Sequence, residues 1–254
     1  MNVLLIAHNT FREAVRDRVL AGIVVGGLLL IGLTRVASPL AMGEDLRLTV
    51  DFSLSAISWL GMVVILMVGS SLVAKEIDRR TIFNLLSRPL PRPVYLLGKW
   101  AGLCGALFAV AAVLGLALVM LLAALGHGSF SPAIAEAVYL ACLELAVVTS
   151  IAVMFSALST PVLSALYTLG LFLAGQWCDD LRALAANAPG SLRALLETVA
   201  NLLPNLPLFN MRTLAAGGDV TTWAHLGIAT VYAALYSGCV LMLGAAAFES
   251  RDFK

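Results

Sequence analysis

Charged residues are scarce in this chain, and their scarcity excludes a soluble protein. Asp, Glu, Lys and Arg together make up 12% of the 254 residues, whereas 61% of the residues are hydrophobic. Typical soluble domains carry about 25% charged and about 45–50% apolar residues. The mean hydropathy of +0.96 agrees with this contrast. The composition therefore indicates an integral membrane protein.

The sequence also lacks the motifs by which common enzyme classes are recognised. It contains no GxxxxGK[ST] phosphate-binding loop, no HExxH zinc motif and no GxSxG nucleophile motif. The four cysteines form no CxxC pair, and we interpret them as small core or lipid-facing residues. Among them Cys178, near the predicted outer surface, is the candidate for a reactive thiol. The formal net charge of +1 argues against nucleic-acid binding. We therefore predict no catalytic site, metal or cofactor on this chain.

Six apolar stretches are long enough to cross a membrane as helices, which takes about 20 residues each. They are Val19–Val36, Leu54–Ala74, Leu96–Leu125, Ile134–Leu158, Val162–Cys178 and Trp223–Phe248. Pro161 favours two helices rather than one broken helix at the boundary of the fourth and fifth stretches. Because the stretches are continuous, and not alternating strands of about ten residues, they predict an all-α polytopic fold with six transmembrane helices.

Lysine and arginine predict the orientation of these helices, because both residues are enriched in cytoplasmic loops. With both termini in the cytoplasm, eleven of the 16 Lys and Arg residues fall on the inner side and five on the outer side. Glu13 and Asp17 interrupt the basic N-terminal region, which is untypical of a cleavable signal peptide. We therefore expect the first span to be retained and both termini to be cytoplasmic.

The N-terminal segment, residues 1–18, has the pattern of an amphipathic helix. One face carries Leu4, Ala7, Phe11, Ala14 and Val15, and the other carries Arg12, Glu13, Arg16 and Asp17. Such a helix is expected to lie on the cytoplasmic membrane surface before the chain turns into the first span. A simple anchor at the membrane surface is the alternative interpretation.

A basic loop, residues 75–95, connects the second and third spans on the predicted cytoplasmic side. A charged turn from Lys75 to Arg80 is followed by a short amphipathic stretch, which contains Ile82, Phe83, Leu85 and Leu86. Three prolines then follow, and a proline disfavours helical structure in the residue before it. The loop is either an interfacial helix among lipid headgroups or a knob that inserts into a cytoplasmic partner.

The outer loop, residues 179–222, is the longest predicted exterior connection. Its apolar residues recur at helical spacing after Ser191, a candidate N-cap, and before Pro204; they are Leu192, Leu195, Leu196, Val199, Leu202 and Leu203. Such a helix is too short to span a membrane, so we expect a hairpin that re-enters the membrane or lies at its outer surface. A turn at Asn205–Asn210 and a second short element ending at Gly217–Gly218 follow.

Two carboxylates in the fourth span are the main polar candidates, because ionisable groups within a membrane are costly and are usually functional. Glu136 and Glu144 are eight residues apart and point within about 80° of each other on a helix. Glu136 either reaches the outer interface or faces the substrate pathway. For Glu144 the alternatives are a hydrogen bond to a neighbouring span and a role in substrate passage or proton sensing.

The cytoplasmic loop carries a family resemblance that extends over nearly the whole chain. Lys75-Glu76-x-x-Arg79-Arg80-Thr81-Ile82-x-x-Leu85-Leu86-Ser87-x-Pro89, followed by Leu97-Gly98-Lys99, resembles the loop of type-two ABC transporter permeases. The branch grouped with copper-enzyme maturation permeases is included in this resemblance. The N-terminal surface helix, six spans, a re-entrant helical hairpin and a short tail complete it. The resemblance implies one permease domain over residues 1–254.

The resemblance implies an exporter-type half-transporter in a bacterial inner membrane. Two permease subunits, identical or related, would assemble with two cytoplasmic ATPases, which would bind ATP and Mg. The implied ATPase contacts lie in the coupling loop and the N-terminal helix; they are Glu76, Arg79, Arg80, Thr81, Ile82, Phe83, Leu86 and Ser87 with Phe11 and Arg12. The resemblance leaves the substrate open.

Two other functional classes remain as alternatives at this point. A membrane scaffold or assembly factor would use the same surface helices without an ATPase, and its loop would tolerate changes of charge. An intramembrane enzyme would need clustered polar residues on facing spans, and Glu144→Gln would abolish a turnover that does not depend on ATP. The transporter interpretation accounts for more of the sequence than either alternative.

Overall fold

In the computed structural model, residues 3–37, 44–73, 92–128 and 131–249 are described, and every regular element among them is helical. The α-helices are α1 (Val3–Val15), α2 (Arg18–Ala37), α3 (Asp45–Met67), α4 (Arg92–Ala124), α5 (Ser131–Leu158), α6 (Pro161–Gln176), α7 (Cys178–Asn187), α8 (Gly190–Leu202), α9 (Arg212–Gly217) and α10 (Trp223–Glu249). Short 3₁₀ helices cover Gly69–Ser71 and Leu206–Phe209. The predicted all-α class is confirmed.

Four helices of the described chain are long and apolar enough to cross a membrane by themselves. They cover Asp45–Ser71, Pro93–Ala124, Pro132–Leu158 and Trp223–Ala247. Two further candidates are bent pairs, because α1 and α2 meet at 61° and α6 and α7 meet at 53°. The structure therefore has four to six candidate spans, and the predicted six is the upper value.

Helix α5 occupies the centre of the bundle. It packs against α3, α4, α6 and α10, and 67% of the residues in its most apolar stretch are buried, against 33–50% in the other three long helices. Its buried side chains include Leu140, Leu145, Val148 and Ile151. A polar side chain in the middle of α5 must therefore find its partners inside the protein.

Helix α1 packs against the beginning of α4 with a side that overlaps only part of the predicted apolar face. Ile6, Thr10 and Ala14 are buried in this contact, whereas Leu4 on the predicted apolar face is 78% exposed. A Cβ atom added at Gly102 would lie 2.5 Å from the Ala7 carbonyl oxygen. The absence of a side chain on α4 therefore permits the two backbones to come close.

The helix boundaries agree with most of the sequence predictions, with three corrections. Helix α3 begins at Asp45, nine residues before the predicted span, because charged residues extend the helix beyond its apolar part. Helix α4 already begins at Arg92, since Pro93 is tolerated in a first turn. Helix α8 begins at Gly190 with Pro189 at its N-cap, so the predicted Ser191 cap was wrong.

Two other sequence predictions about the connections are confirmed. Helix α5 ends at Leu158, and α6 begins at Pro161, so the chain does break between the fourth and fifth stretches. Helix α9 ends at Gly217, and Gly218 adopts a φ of 82° as its C-cap, a left-handed conformation that favours glycine. The predicted coupling helix lies outside the described residues, as does the tail after Glu249.

Candidate functional site

A buried polar cluster surrounds Glu144 in the middle of α5. Its side chain is 4% exposed. Ser58 Oγ donates a hydrogen bond to Glu144 Oε2 at 3.2 Å, and Gln176 Nε2 donates one to Oε1 at 2.6 Å. The Arg212 Nη2 atom lies 4.0 Å from Oε2. Both oxygens of this carboxylate are therefore satisfied, as a buried polar group requires.

Two glycines allow the helices around Glu144 to come close enough for these contacts. At Gly61 an added Cβ would lie 2.6 Å from a Cδ atom of Leu145, so α3 and α5 touch next to Glu144. At Gly175 an added Cβ would lie 2.8 Å from the Pro204 carbonyl oxygen. The end of α6 and the connection between α8 and α10 are therefore packed together beside the cluster.

Arg212, the first residue of α9, brings a positive charge to the cluster. Its side chain is 19% exposed, and Nη1 donates a hydrogen bond to Ser55 Oγ at 3.2 Å. Ser55 and Ser58 are three residues apart and so share one face of α3. One serine therefore contacts the guanidinium and the other contacts the carboxylate, which fixes the relative position of the two charged groups.

Glu136, the second carboxylate of α5, also contacts the connection between α8 and α10. The backbone N–H of Thr221 donates a hydrogen bond to Glu136 Oε2 at 2.6 Å. Glu136 is partly exposed and lies near the beginning of α5, at the predicted outer end. Both predicted carboxylates therefore have partners on one segment of the chain, which begins at Arg212 and ends at Thr221.

The same connection is also attached to α10. The backbone N–H of Asn205 donates a hydrogen bond to the Tyr232 hydroxyl at 2.8 Å, and the Phe209 and Tyr232 rings have centroids 6.1 Å apart. His225 Nε2 lies 3.0 Å from the Leu208 carbonyl oxygen. Polar and aromatic contacts therefore hold this segment against α10 as well as α5.

Cys178 is a core residue, as the general interpretation of the cysteines predicts, and its burial does not fit the candidate reactive thiol. It is fully buried at the start of α7, and its Sγ lies 3.2 Å from the Ala200 carbonyl oxygen of α8. The contact joins the two arms of the α7–α8 hairpin. Cys239 on α10 is the exposed cysteine, because α10 turns this face away from the bundle.

The predicted ATPase contacts on the N-terminal helix differ in their surroundings. Arg12 is exposed, whereas Phe11 is partly buried and its Cδ2 atom would lie 3.3 Å from a Cβ added at Gly105 of α4. The remaining predicted contacts lie outside the described residues; they are Glu76, Arg79, Arg80, Thr81, Ile82, Phe83, Leu86 and Ser87. For those residues the contact remains a prediction.

An apolar groove lies between the end of α3 and the beginning of α6. Its volume is about 460 Å³, and its lining is mostly aliphatic, with Leu66, Met67, Val162 and Leu166 among its residues. Ser71 also lines it, but its hydroxyl donates to carbonyl oxygens of the preceding helical turn. The groove therefore offers an apolar surface and no free polar group from that side chain.

Sequence reasoning found the central carboxylate but missed its partners. Arg212 was counted only among the five Lys and Arg residues on the predicted outer side, and Gln176, Ser55 and Ser58 were not singled out. The available signal was the rule that a carboxylate buried in a membrane needs a partner, for which an arginine between short apolar segments is a candidate. The rule alone does not choose among the arginines of the outer loop.

The cluster joins side chains of α3, α5, α6 and α9 by hydrogen bonds and one contact between opposite charges. Within the described ranges there is no group of three His, Cys, Asp or Glu side chains arranged to hold a metal ion.

A sequence model of the ABC-2 family transporter proteins matches residues 4–253. Comparison with curated proteins gives no significant match.

Proposed function

Since the chain belongs to the ABC-2 family of transporter proteins, of which it is a transmembrane permease component, we propose that it works as one half of an exporter. Two such permeases would associate with two cytoplasmic ATPase subunits, which bind ATP and Mg. The observation that carries the proposal is the family match over residues 4–253, which extends through every described helix. A scaffold without a transport role is not favoured by this match.

We place the chain in a bacterial inner membrane with six spans and both termini in the cytoplasm. In this arrangement α2 and the bent pair of α6 and α7 supply the two spans beyond the four long helices. The polar side of α1 faces the cytoplasm, and the exposed apolar residues of α8 lie in the outer leaflet. Assignment to the copper-enzyme maturation branch remains a prediction from the loop motif.

The coupling loop is proposed to seat in a cleft of the ATPase, and both of its flanks are well attached to the bundle. On the α3 side, the backbone N–H of Val73 donates a hydrogen bond to Ser156 Oγ of α5 at 3.0 Å. On the α4 side, Trp100 Nε1 donates one to the Ala146 carbonyl oxygen at 3.0 Å. A displacement of the loop by its partner would therefore act on α3, α4 and α5 together.

Helix α1 is the second proposed contact with the ATPase. Its burial against α4 places exposed Arg12 on a helix that is attached to the same span as the coupling loop. Phe11 lies on the side of α1 that packs against α4. Its proposed role is therefore to position α1 beside the partner. Glu144 and Glu136 are proposed to border the substrate pathway, one half of which each permease contributes.

Purification of the tagged chain from its native membranes in a mild detergent tests this function, with mass spectrometry of the proteins that accompany it. We expect a soluble subunit with a phosphate-binding loop in stoichiometric amount. The matched control is Phe83→Asp, which should release that subunit without changing membrane insertion. Repeated absence of such a subunit from the intact parent chain would contradict the proposal.

A further inference from the structure

One side of the connection between α8 and α10 packs into the bundle, and its other side is exposed. Leu206 and Phe209 in its 3₁₀ helix are buried, and so are Ala215 and Ala216 in α9. Its polar contacts also lie at two levels of α5. Arg212 meets Glu144, and Thr221 meets Glu136.

The two contacts of this connection lie at different positions along α5. Glu136 and Glu144 are eight residues apart on a continuous helix, which corresponds to about 12 Å along its axis. The Arg212 contact therefore lies deeper along α5 than the Thr221 contact, measured from the predicted outer end. A re-entrant segment would make two such contacts.

We propose that Glu144 is a positioning residue that holds this re-entrant segment, residues 204–221, in the outer end of the bundle through Arg212. This proposal rests on the proposed function only where it concerns transport, because the outer end of the bundle would then be the exit of the pathway. The attachment itself follows from the contacts. Opening the exit then requires Arg212 to leave Glu144, or both residues to move together.

The charges specify this position more strictly than apolar packing does. Ser58 and Gln176 orient the carboxylate, and Ser55 orients the guanidinium. Apolar contacts tolerate a shift of the segment along α5, since one aliphatic neighbour replaces another. A shift of one helical turn would instead separate two opposite charges in a low-dielectric interior, where an unpaired charge is strongly disfavoured.

The test measures how often the segment leaves the bundle, by means of a cysteine at a buried position. Ala215 is 2% exposed, so Ala215→Cys should react slowly with a membrane-impermeant maleimide added outside intact cells that express the full chain. Adding Arg212→Gln should raise the labelling rate at least about tenfold, because one buried charge loses its partner. Arg212→Lys, which keeps the charge, should retain most of the protection.

Arg193→Gln on α8 is the matched control. Arg193 pairs with Glu197 at 2.8 Å on the same helix, and both side chains are largely exposed. Its loss should leave the labelling rate of Ala215→Cys unchanged, since an exposed pair contributes little. Equal labelling rates in the Arg212→Gln and Arg193→Gln backgrounds, with both proteins monodisperse, would overturn the proposal. The parent chain without Ala215→Cys gives the background from the native cysteines.

A milder pair of variants covers the case in which Arg212→Gln does not fold. Ser55→Ala removes one of the two contacts of the guanidinium and should raise the labelling rate by a smaller factor. Ser53→Ala on the same helix is its control, because Ser53 Oγ is buried without a hydrogen-bond partner among the described residues. Equal labelling rates for these two variants would also overturn the proposal.

Failure of this inference can be told apart from failure of the proposed function. Labelling reports the position of the re-entrant segment and needs neither ATP nor an ATPase. If no ATPase accompanies the chain but the labelling rates follow the expected order, the positioning role stands and the transporter proposal fails. If an ATPase accompanies the chain but the labelling rates are equal, the transporter proposal stands and the positioning role fails.

Discussion

Replacement of Gly102 by alanine is the sharpest test of the contact between α1 and α4. The added Cβ would lie 2.5 Å from the Ala7 carbonyl oxygen and 2.6 Å from Thr10 Cβ. Neither atom moves when a side chain rotates, so α1 itself must retreat. Because carbon atoms make favourable contact at about 3.5–4.0 Å, the retreat is roughly 1 Å.

Two opposing terms set the magnitude of this effect. Alanine in a helix interior is more favourable than glycine by about 1 kcal/mol, whereas overpacking of a close contact costs about 1–3 kcal/mol. The net change for Gly102→Ala is therefore a loss of about 0–2 kcal/mol. Gly26→Ala in α2 meets no described atom within 4 Å and should keep the gain, so the two variants should differ by about 1–3 kcal/mol.

Limited trypsin digestion reports the attachment of α1, because Arg12 in this helix and Arg16 directly after it are exposed cleavage sites. We expect faster cleavage in α1 and a lower unfolding temperature in detergent for Gly102→Ala than for Gly26→Ala. Gly105→Ala should fall between them, since its nearest neighbour is a Phe11 ring carbon at 3.3 Å, which can rotate away. The same digestion rate in all three variants would refute the close contact.

Three further predictions concern the loop and the predicted outer end. Phe83→Asp should abolish coupled ATPase activity while membrane insertion is retained; normal transport by the folded variant would contradict the docking role. Tyr232→Phe should lower stability by about 1 kcal/mol, because the hydroxyl accepts a hydrogen bond from the Asn205 backbone; Tyr236→Phe is the control, and equal melting temperatures would count against the contact. Glu136→Gln keeps an acceptor oxygen and should change the melting temperature less than Glu144→Gln, which removes the Glu144 charge. Thermal unfolding of the two variants checks this prediction.

Much of the fold could be predicted because its signals are local. A span is a run of apolar residues, and the break at Pro161 follows from the geometry of proline itself. Five of the six predicted stretches begin within four residues of the corresponding helix. The exception is α3, whose charged first turns carry no apolar signal although they continue the helix.

The candidate site could be predicted only in part, because its partners come from distant segments. Glu144 was identified from its position inside an apolar stretch. The sequence left open whether it hydrogen-bonds to a neighbouring span or acts in substrate passage or proton sensing. The structure gives it Ser58, Gln176 and Arg212 as partners. A residue on each of three other elements had to be brought to one point, and no spacing along the chain encodes that convergence.

By itself, the sequence determined that this is a helical membrane protein with a carboxylate deep in its fourth apolar stretch, since composition and the length of apolar runs act within each segment. Only the tertiary structure decided that α1 rests on the glycines of α4 and that Arg212 returns to Glu144. Both contacts depend on how closely separate helices approach. That distance is short because Gly102, Gly61 and Gly175 have no side chains. Only the tertiary structure shows which surface lies opposite each glycine.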